Sequence, residues 1–325
     1  MKNVTIFIAD SGLGDFIVAT GWIKYFCNKY NRKALLLLGK SQTEYFDLLQ
    51  FGFDYEIIKF ENIFNLNFKN VNEIISIRSK PKTFESIKII AKENNINFYG
   101  NFFHERKYSF FYRRLFMFIH SSRIHDFNIK FPLNYLKILY SKKIFNYEIP
   151  SKEILLSKIS LKNKFNLKIN KYVVIAGSGQ DKTRKLTTEQ INYFSENINE
   201  NLILIGQNWN LNKLNNTIIN LIDKTDLLEA ISLIFHSKLV ITVDSALAHI
   251  SNAITIRNSI MIMGNAPKYR WGPLKNQNNS KLLHTNTFGF ACRCKNCKGL
   301  TKNYSCMQEL KTVKKCLKII NRSKW

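Results

Sequence analysis

Residues 239–250 constrain the fold most, because their hydrophobic pattern changes period partway along. The first five form a β-branched apolar run typical of a buried strand, and from Ser245 onward the apolar residues follow helical spacing. A helix that begins just beyond the carboxyl end of a parallel strand directs unpaired N–H groups and a partial positive charge at the crevice there. The sequence therefore predicts a pyrophosphate seat at this turn, with Asp244 and His249 within reach of a sugar or nucleotide. A plain strand-to-helix turn, with Asp244 or Ser245 as N-cap, is the alternative.

Strands and helices alternate along the whole chain, which predicts parallel, doubly wound α/β sheets. The predicted strands are residues 4–8, 34–38, 57–60, 74–77, 172–176, 202–206, 239–243 and 260–264. The polar, lysine-rich crossing 146–170 separates two such runs and is the predicted linker. With 325 residues, 45% of them hydrophobic, the chain is long enough for two cores. We therefore predict domains at 1–150 and 151–325.

The charge balance is strongly basic, with 49 Lys and Arg against 23 Asp and Glu and a formal charge of +26. Such an excess attracts anionic partners, a class that includes nucleic acid, anionic lipid and phosphorylated glycans. No apolar run approaches the ~20 residues that span a bilayer. The first apolar run ends on Asp10 without a small-residue cleavage site, so it indicates a strand and not a signal peptide.

Segment 104–119 interleaves bulky apolar residues with cations, among them Arg106, Arg113 and Arg114. This mixture suits an interfacial segment on an anionic membrane, or a wall that receives an anionic acceptor. A helix that packs its aromatic residues inward and leaves its arginines in solvent is the alternative.

The loop after the first strand holds Gly12 and Gly14, followed by Asp15. The glycines allow a tight turn and close approach of a ligand, but their spacing is not the complete dinucleotide fingerprint, which argues against a nicotinamide enzyme. Asp15 falls at a predicted helix N-terminus, where the helix dipole favours a carboxylate, and an ionised carboxylate can act as a general base. An acid that only stabilises the first helical turn is the alternative.

Cysteines are concentrated near the end of the chain. Four of them fall in one short loop: Cys292, Cys294, Cys297 and Cys306. Cationic neighbours favour the thiolate, the form that binds metal. The spacing differs from a standard zinc knuckle, because a single residue separates the first two cysteines. A structural zinc or iron site and a set of reduced thiols both remain open.

Four stretches of the chain together resemble glycosyltransferase family 9, the heptosyltransferases that build the inner core of lipopolysaccharide. These stretches are Gly14-Asp15, residues 176–179 with Lys182, Arg184 and Lys185, residues 243–249, and residues 263–273. Their shared order and spacing carry the resemblance. The resemblance extends over nearly the full length of the chain.

The resemblance implies a GT-B-type architecture, in which two Rossmann-like domains face each other across a cleft. The N-terminal domain would bind the acceptor and the C-terminal domain the nucleotide sugar, in an inverting reaction that needs no catalytic metal. Asp15 would be the base. The implied donor-binding residues are Lys182, Arg184, Asp244, Ser245, Ala246, Leu247, His249 and Gly264, with Arg184 or Lys182 on the phosphate, and the implied acceptor-side residues are Gly14, Arg106, Arg113 and Arg114. A protein-glycosylating branch of the family holds iron in the cysteine region.

Two departures from the family pattern bear on the donor. The chain has Ala246-Leu247 where the family usually has Gly-Pro, and Leu186-Thr187 where it has Trp-Pro. The added methyl of Ala246 stands where close approach of phosphate requires bare backbone, which leaves the donor pose and the donor identity open.

The predicted function is transfer of a heptose or related sugar from a nucleotide diphosphate, ADP-linked, to a phosphorylated lipid-linked glycan such as the lipopolysaccharide core. Such an enzyme is expected in the cytoplasm, peripheral on the inner membrane. A protein heptosyltransferase that acts on an autotransporter adhesin is the second possibility. A basic, metal-containing nucleic-acid-binding protein is the alternative of another class, although the ordered α/β motifs favour an enzyme without a nucleic-acid partner.

Overall fold

The computed structural model describes residues 3–10, 12–49, 54–78, 80–99, 149–167, 171–179, 184–254, 258–263, 280–284, 307 and 309–323. The chain divides into two compact units, Met1–Pro150 and Ser151–Trp325. Each unit contains one parallel β-sheet. Within the described ranges, no helix combines the length and the apolar character that a membrane span requires.

Unit 1 alternates strands and helices from its first residues. Its elements are β1 (Asn3–Ala9), α1 (Leu13–Tyr30), β2 (Arg32–Leu38), α2 (Lys40–Phe46), β3 (Tyr55–Ile58), the 3₁₀ turns Phe60–Asn65 and Phe68–Asn70, β4 (Val71–Arg78), α3 (Pro81–Glu93) and β5 (Asn97–Tyr99). The strand order is β3-β2-β1-β4-β5, with all neighbours parallel. The order reverses between β1 and β4, so this is the topological switch point of the sheet.

The central strand β1 is buried on both faces, which explains its nearly continuous apolar sequence. On one face, Phe7 meets the rings of Trp22 and Phe26 from α1 edge-on, each with centroids 5.7 Å away. On the other face, Ile8 belongs to a cluster that includes Ile87 of α3. Helices therefore cover both sides of this sheet.

Unit 2 repeats the plan with one more strand. Its elements are α4 (Lys158–Lys164), β6 (Tyr172–Ala176), α5 (Thr188–Asn197), β7 (Asn201–Leu204), β8 (Ile218–Asn220), α6 (Leu227–His236), β9 (Leu239–Val243), α7 (Ala246–Ala253), β10 (Asn258–Met263), β11 (Ser280–His284) and α8 (Leu310–Arg322). The strand order is β11-β10-β9-β6-β7-β8, again all parallel. The switch point lies between β6 and β9.

Helices also cover both faces of the second sheet. Phe194 of α5 and Val313 of α8 share one core cluster with Ile241 of β9. Ala248 of α7 packs with Met261 of β10 in a separate cluster. The predicted α/β class, with two doubly wound parallel sheets, is confirmed.

One stretch of the predicted linker is more ordered than the polar pattern indicated. Residues 158–164 form α4, and the Ser157 side chain caps its first turn. The preceding backbone is held against α6, because Leu156 N donates to Ser232 Oγ (3.0 Å) and the Leu156 carbonyl oxygen lies 3.0 Å from His236 Nε2. A local cap and two tertiary hydrogen bonds thus order a segment whose composition alone reads as a loop.

Candidate functional site

Arg184 and Asp244 meet at the switch point of unit 2. Arg184 Nη1 donates to Asp244 Oδ2 (3.2 Å) and to the Asp244 backbone carbonyl (3.3 Å). The Asp244 side chain is 9% exposed and that of Arg184 is 30% exposed. The loop after β6 therefore presents a partly accessible guanidinium that is anchored to the turn after β9. In a doubly wound sheet, ligands bind at this edge.

The loop can reach the β9 turn because it contains glycine. A Cβ at Gly179 would lie 2.9 Å from Arg184 Cβ and 3.1 Å from the Asp244 carbonyl oxygen, so a side chain there would push the two loops apart. Two backbone hydrogen bonds close the loop: Gly179 N donates to the Arg184 carbonyl (3.0 Å) and Leu186 N to the Gly177 carbonyl (2.9 Å).

Trp209, in the loop after β7, packs under the same loop and was missed in the sequence. Its Nε1 donates to the Leu186 carbonyl (2.9 Å), and its side chain is 2% exposed. A Cβ at Gly177 would come within 2.5 Å of the indole ring. A lone tryptophan in a polar loop directly after a strand is a usable signal, because a buried indole needs a partner for its N–H group.

Helix α7 begins beside this ion pair. Ser245 is its N-cap residue, and the Ser245 Oγ is buried with no hydrogen-bond partner in the part of the chain that the structure describes. Ala246 and Leu247 form the half-buried first turn, which contains no acidic residue, and His249 follows within the helix, 2% exposed. A helix start without an acid, next to a guanidinium, suits an anion.

The switch point of unit 1 holds two carboxylates with different surroundings. Asp10 accepts hydrogen bonds from Lys80 N (2.8 Å) and Thr83 Oγ1 (2.6 Å), and so ties the end of β1 to the start of α3. Asp15 lies in the first turn of α1 and is half-buried, with Oδ2 only 2.8 Å from where a Cβ on Gly12 would stand. Asp10 is therefore engaged with the start of α3, a contact that was not predicted from the sequence.

Several predicted site residues lie outside the described residues. They are Lys182, Gly264, Arg106, Arg113, Arg114, Cys292, Cys294, Cys297 and Cys306. Gly14 is described and lies in the first turn of α1. Among the described residues, no group of three or more His, Cys, Asp or Glu side chains is placed to hold a metal ion.

Two doubly wound parallel units, one with an anchored guanidinium and the other with a carboxylate at its switch point, are consistent with the architecture of a GT-B-type glycosyltransferase. Residues 204–298 match the model of glycosyltransferase family 9 (heptosyltransferase). The resemblance predicted from the sequence is therefore confirmed over this part of the chain. The matched region contains Asp244 and the start of α7, whereas Arg184 and Asp15 precede it.

Solved structures resemble the fold over almost the entire chain. A family 9 glycosyltransferase from Veillonella parvula DSM 2008 is 13% identical, with a TM-score of 0.61, over 98% of this chain and 97% of the other. The E. coli ADP-heptose lps heptosyltransferase II is 16% identical, with a TM-score of 0.59, over 99% and 100%.

A third structure is that of the dodecameric iron-containing heptosyltransferase TibC, from enterotoxigenic E. coli, in complex with ADP-D-beta-D-heptose. It is 11% identical, with a TM-score of 0.53, over 98% of this chain and 77% of the other. At these identities the likeness concerns the fold alone. No curated protein is similar enough in sequence to be matched to the chain.

Proposed function

We propose that this glycosyltransferase moves a heptose or a related sugar from a nucleoside diphosphate donor, ADP-linked, to a hydroxyl of an acceptor glycan, with inversion at the anomeric carbon. The observation that carries the donor half is the Arg184 guanidinium, held by Asp244 beside the start of α7. The ADP-heptose that accompanies TibC in its structure supports the choice of nucleotide.

The donor half of the site acts on the leaving group. As the bond between the anomeric carbon and the phosphate oxygen breaks, negative charge builds on the departing diphosphate. In this proposal, Arg184 and the N–H groups at the start of α7 stabilise that charge, and the Ser245 hydroxyl donates to a phosphate oxygen. Lys182, Ala246, Leu247, His249 and Gly264 complete the proposed donor site. Asp244 acts on the donor through Arg184, since it fixes the guanidinium.

The acceptor half requires a base. The acceptor hydroxyl forms a new bond to the anomeric carbon on the face opposite the diphosphate, and its proton passes to Asp15. A single displacement of this kind inverts the anomeric configuration. Gly14, Arg106, Arg113 and Arg114 are the proposed acceptor-side residues.

The test of this assignment is Asp15→Asn, which keeps the shape of the side chain but cannot accept the proton. We expect turnover to fall by about a hundredfold or more, the usual contribution of general base catalysis, with the Kd of ADP unchanged. Asp47→Asn, the same change at an exposed position of unit 1, is the control and should retain full turnover. Normal transfer by the Asp15→Asn variant would remove Asp15 from the mechanism.

Two acceptors are proposed, and the cysteine cluster distinguishes them in part. A phosphorylated lipid-linked glycan of the lipopolysaccharide core suits a chain with a charge of +26, and it would place the enzyme in the cytoplasm on the inner membrane. An autotransporter adhesin is the second proposed acceptor. A structural metal at Cys292, Cys294, Cys297 and Cys306 would favour this acceptor over the lipid-linked glycan.

Metal analysis of protein purified without affinity-tag metals tests that site. Stoichiometric zinc or iron would support it, and substoichiometric amounts of both would reject it. Transfer assays with each acceptor then decide between the two candidates. The fold and the family match favour the enzyme over the nucleic-acid-binding alternative.

A further inference from the structure

The loop after β7 holds both ends of the loop that carries Arg184. We propose that Trp209 is a positioning residue, which holds the two ends of loop 177–186, residues 177–179 and 184–186, in the arrangement that places Arg184 against the donor diphosphate. The inference rests on the proposed function, because it assumes that Arg184 binds the diphosphate.

Trp209 contacts the two ends of loop 177–186 through different parts of its side chain. Its Nε1 donates to the Leu186 carbonyl at one end, and its six-membered ring lies against Gly177 at the other. These two ends are also joined directly, by the hydrogen bond from Leu186 N to the Gly177 carbonyl. One buried side chain therefore fixes the base of the loop.

The residues just before Trp209 contact the same loop. The Gln207 carbonyl accepts from Ser178 Oγ (3.0 Å), and the Asn208 carbonyl accepts from Lys185 Nζ. Asn208 is itself held, because its N–H donates to Asp223 Oδ1 (2.9 Å). Three consecutive residues of the loop after β7 thus contact both ends of the loop that bears Arg184.

The path from Trp209 to the proposed ligand is short. The Arg184 carbonyl accepts from Gly179 N within the loop, and the Arg184 side chain reaches Asp244. Loosening the base of the loop should lower the fraction of molecules in which Arg184 is correctly placed. The apparent Kd rises in inverse proportion to that fraction. Once donor is bound at saturation, Arg184 occupies the same position, so kcat should be conserved.

The decisive variant is Trp209→Phe, which keeps a buried aromatic ring but removes the N–H donor and the ring atoms nearest Gly177. Tyr172→Phe is the matched control: it deletes a buried aromatic donor to a backbone carbonyl, from Tyr172 Oη to Leu233 (3.0 Å), at the opposite end of β6. We expect Trp209→Phe to raise the Kd of ADP and the donor KM by roughly fivefold to tenfold, with kcat within about twofold of wild type. Tyr172→Phe should lower stability without changing the Kd.

Amide hydrogen exchange measures how often the hydrogen bonds at the base of the loop open. Trp209→Phe should accelerate exchange at the Gly179 and Leu186 amides, whose hydrogen bonds close the loop, whereas Tyr172→Phe should not. If the wild-type protein binds no ADP, the proposed donor is wrong, but the exchange result still decides whether Trp209 holds the loop. Unchanged exchange at both amides in Trp209→Phe, or ADP binding equal to that of wild type, would overturn the positioning role.

Discussion

Asp244 accepts two hydrogen bonds from one nitrogen of Arg184, through its carboxylate and through its backbone carbonyl. The pair carries no net charge. It therefore favours a diphosphate through the fixed direction of the guanidinium N–H donors as well as through the local positive charge of Arg184. A guanidinium has five donors in a fixed plane, and Nη1 makes both contacts to Asp244. Nη2 and Nε can then be directed at phosphate oxygens without breaking the ion pair.

Arg184→Lys tests this geometry, because lysine keeps the charge but not the planar fork. We expect the Kd of ADP to rise by about tenfold, measured by calorimetry. Arg322→Lys, the same exchange at an exposed position of α8, is the control and should leave the Kd unchanged. Equal affinity in the Arg184→Lys variant would show that a point charge is sufficient at this position.

The buried thiol of Cys27 should make the free energy of unfolding of unit 1 fall at alkaline pH. Burial, with a smaller contribution from the negative charge of Glu73, raises the pKa of the Cys27 thiol from its ordinary value of 9.0 to about 12. A group whose pKa is higher in the folded state contributes its full stabilisation at pH values below its unfolded-state pKa. This contribution is lost as the pH rises from the unfolded-state pKa toward the folded-state pKa. The loss should therefore begin near pH 9.

We expect the free energy of unfolding of unit 1 to fall by about 1.4 kcal/mol more in wild type than in Cys27→Ala between about pH 8 and pH 10. Urea titrations of both proteins at each pH measure the difference, and the constant cost of the cavity cancels in the comparison. Parallel pH profiles for the two proteins would mean that Cys27 ionises without unfolding.

At the scale of elements, the central strands and the edge strand β3 could be predicted, whereas the other three edge strands could not. β1, β2, β4, β6, β7, β9 and β10 each contain a buried apolar run, which is a strong local signal. β5 and β8 have three residues each, and neither these two strands nor β11 were predicted from the sequence. Their pairing is set by the neighbouring strand, and not by their own composition.

Helix α8 shows a pattern of charge that the core does not explain. Its buried side contains Val313 and Cys316, while its exposed side carries Lys311, Lys314, Lys315, Lys318 and Arg322. Cations three or four residues apart on a helix repel each other by about 0.2–0.5 kcal/mol per pair. Lys311 is paired with Glu309, and the exposed side of the helix still carries an excess of positive charge.

Lys315→Glu should convert repulsion into attraction, since Lys311 and Lys318 are its neighbours along the exposed side. We expect unit 2 to gain about 0.5–1 kcal/mol in free energy of unfolding at low salt, and about half of that from Lys315→Gln. Urea titration at low and at about 0.5 M salt measures the effect, which salt should reduce. A gain that persists at high salt would point to helix propensity and not to charge.

At the scale of the whole molecule, the sequence showed which residues lie at strand-to-helix turns better than it showed how the surrounding loops pack. Asp15, Asp244 and Ser245 could be found because each sits at a strand-to-helix turn, where a change of hydrophobic period is visible. The burial of Trp209 could be inferred from a tryptophan in a polar loop, but its partners Gly177 and Leu186 could not, because these contacts depend on how two loops of the folded unit pack. The ion pair between Arg184 and Asp244 spans 60 residues of sequence, and nothing local marks the two as partners.

The proposed donor contacts lie in unit 2, which has a sheet and a core of its own, so ADP should protect the two units unequally. A ligand present at about a hundred times its Kd raises the free energy of unfolding of the unit that binds it by about 2.7 kcal/mol. Amide hydrogen exchange should therefore slow by up to about a hundredfold in β6 and β9, with β1 and β4 of unit 1 unchanged. The Trp209→Phe variant at the same ADP concentration should show a smaller protection, in proportion to its weaker binding. Equal slowing in both units would mean that ADP also contacts unit 1 or that the units unfold together. Protection confined to unit 1 would mean that ADP binds unit 1, contrary to the proposal.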